Sequence, residues 1–243
     1  MPMNATESRL IVALDYADAD TALNFVDRID PALCRVKVGK ELFTAAGPKF
    51  VQQLVSRQFD VFLDLKFHDI PNTVAHACRV AADLGVWMLN VHALGGPAML
   101  DAACAALADR QQKPLLIAVT ILTSTSAAEL QATGINTPLP EMVKHLATIS
   151  AAAGMDGIVC SAQDLTGIRH DLPADFRYIT PGIRLDRQSG DDQQRIMTPV
   201  EAIQAGASYL VMGRPVTQSA NPVNQITAVN QAINTKLSAL SNL

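Results

Sequence analysis

Short apolar runs recur along the chain with helical stretches between them. Eight strand candidates stand out: Leu10–Asp15, Arg35–Lys40, Val61–Lys66, Met88–Ala93, Leu115–Thr120, Gly157–Ser161, Tyr178–Gly182 and Ser208–Gly213. Most are continuous apolar runs rather than alternations, which predicts strands buried on both faces, as in parallel sheets. Between them apolar residues fall at helical spacing, for example over Ala75–Leu84, Ala98–Leu107 and Met142–Ala153. Strand–helix alternation predicts a parallel sheet. Eight units predict its closure into a (β/α)8 TIM barrel, with an open doubly wound sheet as the alternative. No Pro/Ser/Gly-rich linker or low-complexity tract divides the chain, so residues 1–243 read as a single barrel domain.

Two connections exceed simple turns. Ile121–Pro138 follows the fifth strand, and Ile183–Thr198 follows the seventh and reads IRLDRQSGDDQQRIMT. Long ordered loops usually carry function. Both are expected at the C-terminal end of the barrel, where such enzymes place their sites.

Composition narrows the classes. Apolar residues make up 49% of the chain and charged residues 17%, enough for a large core and against disorder. The net charge of -4, with no Lys/Arg-rich run, gives no nucleic-acid footprint. The apolar stretch Leu10–Leu14 ends at Asp15, too short for a signal peptide, and no run is long and apolar enough to span a bilayer. The expectation is a cytoplasmic protein. Cys34, Cys78, Cys104 and Cys160 lack metal-type spacing and read as buried reduced thiols. The lone Trp87 reads as packing between helix and strand.

Polar residues collect where the strands end: Asp15, Lys37, Asp64, Lys66, His68, Asp69, His92, Thr120 and Arg214. In a closed barrel they converge on one mouth. Asp64 and Lys66 are two apart in a strand and share a face. Charges buried there must pair or shift their pKa values. One such pair would be structural, but several at one mouth favour a site.

From Asp64 the chain reads DLKFHDIPNT. Around it stand Asp15, Lys37 in VKVG, NVHALGG at Asn90–Gly96, LTS at Leu122–Ser124, TPGIR at Thr180–Arg184, Gln193, and GRP at Gly213–Pro215. This set resembles the orotidine 5'-monophosphate decarboxylase family, whose signature is an Asp-x-Lys-x-x-Asp run ending the third strand. The resemblance implies cofactor-free, metal-free conversion of orotidine 5'-monophosphate to uridine 5'-monophosphate and CO2 in pyrimidine biosynthesis. Losing CO2 from C6 leaves electrons in a vinylic orbital that the ring delocalises poorly. A fixed ammonium can stabilise that charge and then donate the replacing proton. By resemblance Lys66 does both. Asp64 lies near the departing carboxylate and helps position Lys66, while Lys37 and Asp69 complete an alternating array. The resemblance also implies a homodimer with shared sites, in which Asp69 and Thr73 come from the other subunit. Gly213, Arg214 and Gln193 would bind phosphate with Arg184 nearby. Thr123, or Ser124 next to it, would contact the pyrimidine, and Asp15 and Lys37 would hold ribose hydroxyls.

Two other readings stay open. A metal-dependent sugar-phosphate epimerase or aldolase could use Asp64, His68, Asp69 and His92 as ligands, although Lys66 beside them would repel a divalent cation. A non-catalytic nucleotide-binding barrel would hold the nucleotide without converting it. His92 is either near the ribose phosphate, as the resemblance implies, or a hydrogen-bonded structural histidine. His68 and His76 read as structural or solvent-facing. No dinucleotide glycine motif, Walker loop or nucleophile elbow occurs.

Overall fold

The computed structural model of the chain describes residues 8–185 and 195–241. Eight parallel strands follow one another around a closed barrel: β1 (Leu10–Ala13), β2 (Arg35–Gly39), β3 (Val61–Phe67), β4 (Met88–His92), β5 (Leu115–Val119), β6 (Gly157–Val159), β7 (Arg177–Thr180) and β8 (Tyr209–Met212). Closure is made by β8 on β1, with Leu10 opposite Leu210 and Val12 opposite Met212. This is the (β/α)8 barrel, and the open sheet is excluded. The helices among the described residues are α1 (Ala19–Val26), α2 (Lys40–Ser56), α3 (Pro71–Asp83), α4 (Pro97–Leu107), α5 (Ala127–Ala132), α6 (Leu139–Ala152), α7 (Leu165–Ile168), α8 (Pro199–Ala205), α9 (Arg214–Thr217) and α10 (Pro222–Ser241).

The continuous apolar runs have a direct explanation. One face of each strand meets the helices, as with Leu10, Val12, Val36, Val38, Leu63 and Leu89. The other face fills the lumen, where Ile11, Ala13, Phe62, Met88, Ile117, Ile179, Tyr209 and Val211 form a separate cluster. Polar residues on the inward face are therefore exceptions that need partners.

One exception closes the bottom of the lumen. Arg35, at the start of β2, is 5% exposed. Its guanidinium lies 4.5 Å from the Trp87 ring and 5.1 Å from the Tyr209 ring, and pairs with Asp60 at 3.1 Å. Trp87 thus packs at the N-terminal end of the barrel, edge-on to Tyr209 and against the lumen cluster, rather than between helix and strand as expected. An apolar context fits either face of the sheet, and here it is the lumen face.

Other boundaries differ for local reasons. The first strand ends at Ala13, which leaves Asp15 in the connection beyond it. The third helix starts at Pro71 rather than Ala75, because proline's fixed φ suits the first helical turn. The connection Ile121–Pro138 contains α5, started by a capping box in which Ser126 and Glu129 satisfy each other's backbone N–H groups. Helix α2 is broken at Gly47, whose φ of 70° is left-handed and is followed by Pro48. All four cysteines are free thiols, three buried and Cys104 partly so, and burial pushes Cys34 and Cys78 up to about 12. No helix among the described residues is long and apolar enough to cross a membrane.

Candidate active site

The strand register decides which polar side chains meet. Lys37 is paired across the sheet with Ala13 on β1 and Phe62 on β3, and Gly39 with Asp64. Residues at alternate positions face inward, so Lys37 and Asp64 rise above the apolar lumen layer on neighbouring strands. Lys37 Nζ lies 3.3 Å from Asp64 Oδ2 and 3.3 Å from Asp15 Oδ1. Asp64 Oδ1 lies 2.6 Å from Lys66 Nζ. The result is a continuous Asp15–Lys37–Asp64–Lys66 array of alternating sign. A Cβ at Gly39 would come within 3.3 Å of Lys37 Nζ, so glycine leaves the ammonium its space.

Between β3 and β4 the register slips. Leu63 pairs with Leu89 and Phe67 pairs with Val91, so Asp64, Leu65 and Lys66 stand against the single residue Asn90. Lys66 itself has φ of 51°, in the left-handed region that a side chain rarely adopts. Asn90 is fully buried. Its Oδ1 accepts from the Lys66 backbone N–H at 2.7 Å, and its Nδ2 donates to Asp64 Oδ1 at 2.7 Å. Asn90 entered the sequence reading only as part of a motif. The available signal was an amide in the apolar run MLNVH, which burial obliges to find partners.

The electrostatics follow from burial and partners. Burial by itself would raise the Asp64 carboxyl. Lys37 and Lys66, with hydrogen bonds from Lys66 and Asn90, outweigh it and hold Asp64 below the ordinary carboxylate range. Burial likewise works against the Lys37 ammonium, yet Asp64 and Asp15 more than offset it and keep Lys37 above the ordinary lysine value. Both groups stay charged at neutral pH.

Above the array opens a cavity of about 350 Å³. Its floor is apolar, made by Ala13, Phe62, Val119, Val159, Ile179 and Val211. Asp15, Lys37, Asp64 and Lys66 line one side, and Arg184, Gly213 and Arg214 come from beyond β7 and β8. Thr123 and Ser124 both reach it from the connection after β5, Thr123 buried and Ser124 exposed. Among the described residues, four cationic side chains against two carboxylates suit an anionic ligand of nucleotide size. A Cβ at Gly213 would meet Asp15 Oδ2 at 3.3 Å, so glycine keeps the β8 end close to the array.

The remaining predicted residues fall elsewhere. Asp69 and Thr73 are exposed and do not line this cavity, and Asp69 accepts from the backbone N–H of Ile70 at 2.6 Å. Gln193 lies outside the described residues. Thr120 is a correction to the expected convergence, since its hydroxyl donates to the Val159 carbonyl at 2.9 Å as part of the sheet. His92 does not line the cavity. Its ring stacks on His68 with centroids 5.6 Å apart, and its Nδ1 accepts from Leu94 N–H at 3.4 Å. Burial, with His68, Lys66 and Lys40 nearby, lowers it to about 4, so it is neutral at pH 7. The four residues considered as metal ligands do not converge, because Asp64 is engaged by Lys37, Lys66 and Asn90 while the two histidines face each other.

Comparison with known proteins covers nearly the whole chain. A profile described as the orotidine 5'-phosphate decarboxylase / HUMPS family matches residues 8–229. A relative from Chromobacterium violaceum, named orotidine 5'-phosphate decarboxylase, is 56% identical over 228 residues, covering 94% of this chain and 92% of its own. One of the same name from Tolumonas auensis is 54% identical over 230 residues, covering 94% and 99%. The crystal structure of orotidine 5'-phosphate decarboxylase from Lactobacillus acidophilus superposes with a TM-score of 0.84 at 35% identity, covering 93% of this chain and 98% of that one.

Proposed function

The chain belongs to the orotidine 5'-phosphate decarboxylase / HUMPS family, and we propose that the Asp15–Lys37–Asp64–Lys66 array is its catalytic centre. The protein removes CO2 from orotidine 5'-monophosphate to give uridine 5'-monophosphate. The observation that carries the assignment of residues is the 2.6 Å contact of the Lys66 ammonium with a buried, ionised Asp64 at the cavity wall.

In this reading the C6–carboxylate bond breaks heterolytically. CO2 leaves, and the electron pair stays on C6. The Lys66 ammonium is already oriented when that charge develops, so no solvent reorganisation is needed. It then transfers one proton to C6, becomes a neutral amine, and regains a proton from water. Asp64 keeps the Lys66 side chain aimed through their 2.6 Å contact, and Lys37 keeps Asp64 ionised. Asp15 and Lys37 face the ribose, Thr123 or Ser124 the pyrimidine, and Arg184, Gly213 and Arg214 the phosphate. The positive excess of the cavity supports a ligand carrying both phosphate and carboxylate.

Asp69 and Thr73 serve a partner's site in a homodimer. Support comes from the exposed run Asp69–Thr73, which misses its own cavity, and from Ile70 and Val80, exposed at 67% and 63%. Ile70, Thr73 and Val80 fall on one stripe at helical spacing, an apolar surface that a second copy would cover. Four free thiols suit a reducing compartment, and the setting proposed is cytoplasmic.

The test is loss of orotidine 5'-monophosphate absorbance with purified, chelator-treated protein, together with release of uridine 5'-monophosphate. Decarboxylation that survives exhaustive chelation would remove the metal-dependent epimerase or aldolase reading. Tight binding without turnover would favour the silent barrel.

A further inference from the structure

The slip between β3 and β4 places three residues, two of them charged and assigned to catalysis, against one uncharged amide. Ordinary strand pairing would give Lys66 N–H a backbone carbonyl. Here the partner is a side chain, Asn90 Oδ1, at 2.7 Å. The other end of the same amide holds Asp64 Oδ1, the oxygen that also meets Lys66 Nζ. Asn90 therefore bridges the backbone of one charged residue and the carboxylate of the other. It is fully buried, so neither bond competes with water. A left-handed backbone at a lysine is strained and persists only where the surroundings enforce it.

We propose that Asn90 is a positioning residue for the decarboxylation. It pins the bulged Lys66 backbone and orients Asp64, so that the Lys66 ammonium is fixed toward the cavity. This rests on the decarboxylase reading and adds to it a residue that touches neither the cavity nor the reacting atoms. Every other group on Asp64 is accounted for: Lys37 from β2, Lys66 from β3, and Asp15 acting through Lys37. Two residues further along β4, His92, stacked on His68, is neutral at pH 7. Asn90 is thus the one uncharged donor to Asp64 among the described residues.

Two variants test this against a purely structural role in filling the bulge. Asn90→Ala removes both bonds, so Lys66 relaxes toward ordinary strand geometry and its ammonium shifts. A displacement of about 1 Å costs on the order of 10²-fold in rate, so kcat falls by about that factor. Affinity for uridine 5'-monophosphate is retained, because the phosphate and pyrimidine contacts come from other strands. Asn90→Asp keeps the shape. When protonated it still accepts from Lys66 N–H and donates to Asp64, but when ionised it cannot donate and it repels Asp64. Its kcat therefore falls as pH rises through the titration of the carboxyl pair, over a range in which the wild-type rate is flat. This variant decides the question if the alanine variant does not fold. A wild-type kcat in Asn90→Ala, parallel loss of kcat and nucleotide affinity, or an Asn90→Asp profile parallel to wild type overturns the proposal. Failure of the wild-type protein itself to convert orotidine 5'-monophosphate would instead overturn the decarboxylase reading.

Discussion

At Lys66 two demands meet. The side chain must carry a proton to carbon, and its backbone must bulge out of a strand to aim it. Replacing Lys66 with alanine should nearly abolish turnover while leaving the barrel folded, measured as single-turnover rate and thermal unfolding side by side. A substantial residual rate would remove Lys66 from the mechanism. Lys66→Arg should not rescue, because a planar guanidinium fits the site differently and holds its proton too tightly to transfer it. The neighbouring charges make a prediction about stability. The folded Asp64 carboxyl sits below its unfolded value, so its contribution is fully present above about pH 3.9 and is lost as pH falls through the folded value. Lys37 is shifted upward, so its contribution is present below about pH 10.4 and is lost as pH rises through the folded value. Thermal stability should therefore carry a plateau from this network between about pH 4 and about pH 10. Asp64→Asn should lower that plateau, though by less than the roughly 3–5 kcal/mol of a fully stranded buried charge, since Lys37 keeps Asp15 at 3.3 Å. A variant as stable as wild type at pH 7 would show that the array contributes nothing net to folding.

At the scale of elements, the site is assembled from two adjoining arcs of the barrel, joined where β8 pairs with β1. β1, β2 and β3 bring the alternating charges, and the ends of β7 and β8 bring the arginines. This division predicts that the two halves fail differently. Arg214 follows β8, where barrels commonly bind phosphate. A charge-assisted bond there is worth about 1.5–3 kcal/mol. Arg214→Ala should therefore lower kcat/KM for orotidine 5'-monophosphate by about 10- to 150-fold, with little change for orotidine, which lacks the phosphate. Equal losses for both substrates would mean that Arg214 braces the loop instead of gripping the ligand.

The whole molecule is expected to be a pair. In one chain the stretch from Asp69 to Thr73 is exposed and leads into a helix bearing Val80 in solvent. If Asp69 serves the partner's site, Lys66→Ala and Asp69→Ala complement each other. In a mixed dimer one site takes both lesions and the other takes neither. Random pairing at equal mixing should then restore about a quarter of wild-type activity, read after confirmed subunit exchange. If Asp69 served its own chain, every mixed site would carry one lesion and mixing would restore nothing.

Much of this was legible in the sequence, because burial on both sheet faces forces continuous apolar runs and repetition of strand and helix forces closure. The eight strands, the barrel and the membership of Asp15, Lys37, Asp64 and Lys66 in one mouth all follow from that pattern, along with the motif from Asp64 onward. What the pattern could not give is register. A bulge between β3 and β4 is invisible to a rule of alternation, so the left-handed backbone of Lys66 and the bridging amide of Asn90 emerged only once two strands lay side by side. The same holds for Trp87, whose apolar character fits either side of a sheet, and for His92, which a strand end can aim inward or at a neighbour. Sequence fixes which residues must be buried or paired; the partner of each is decided by contacts between segments distant along the chain.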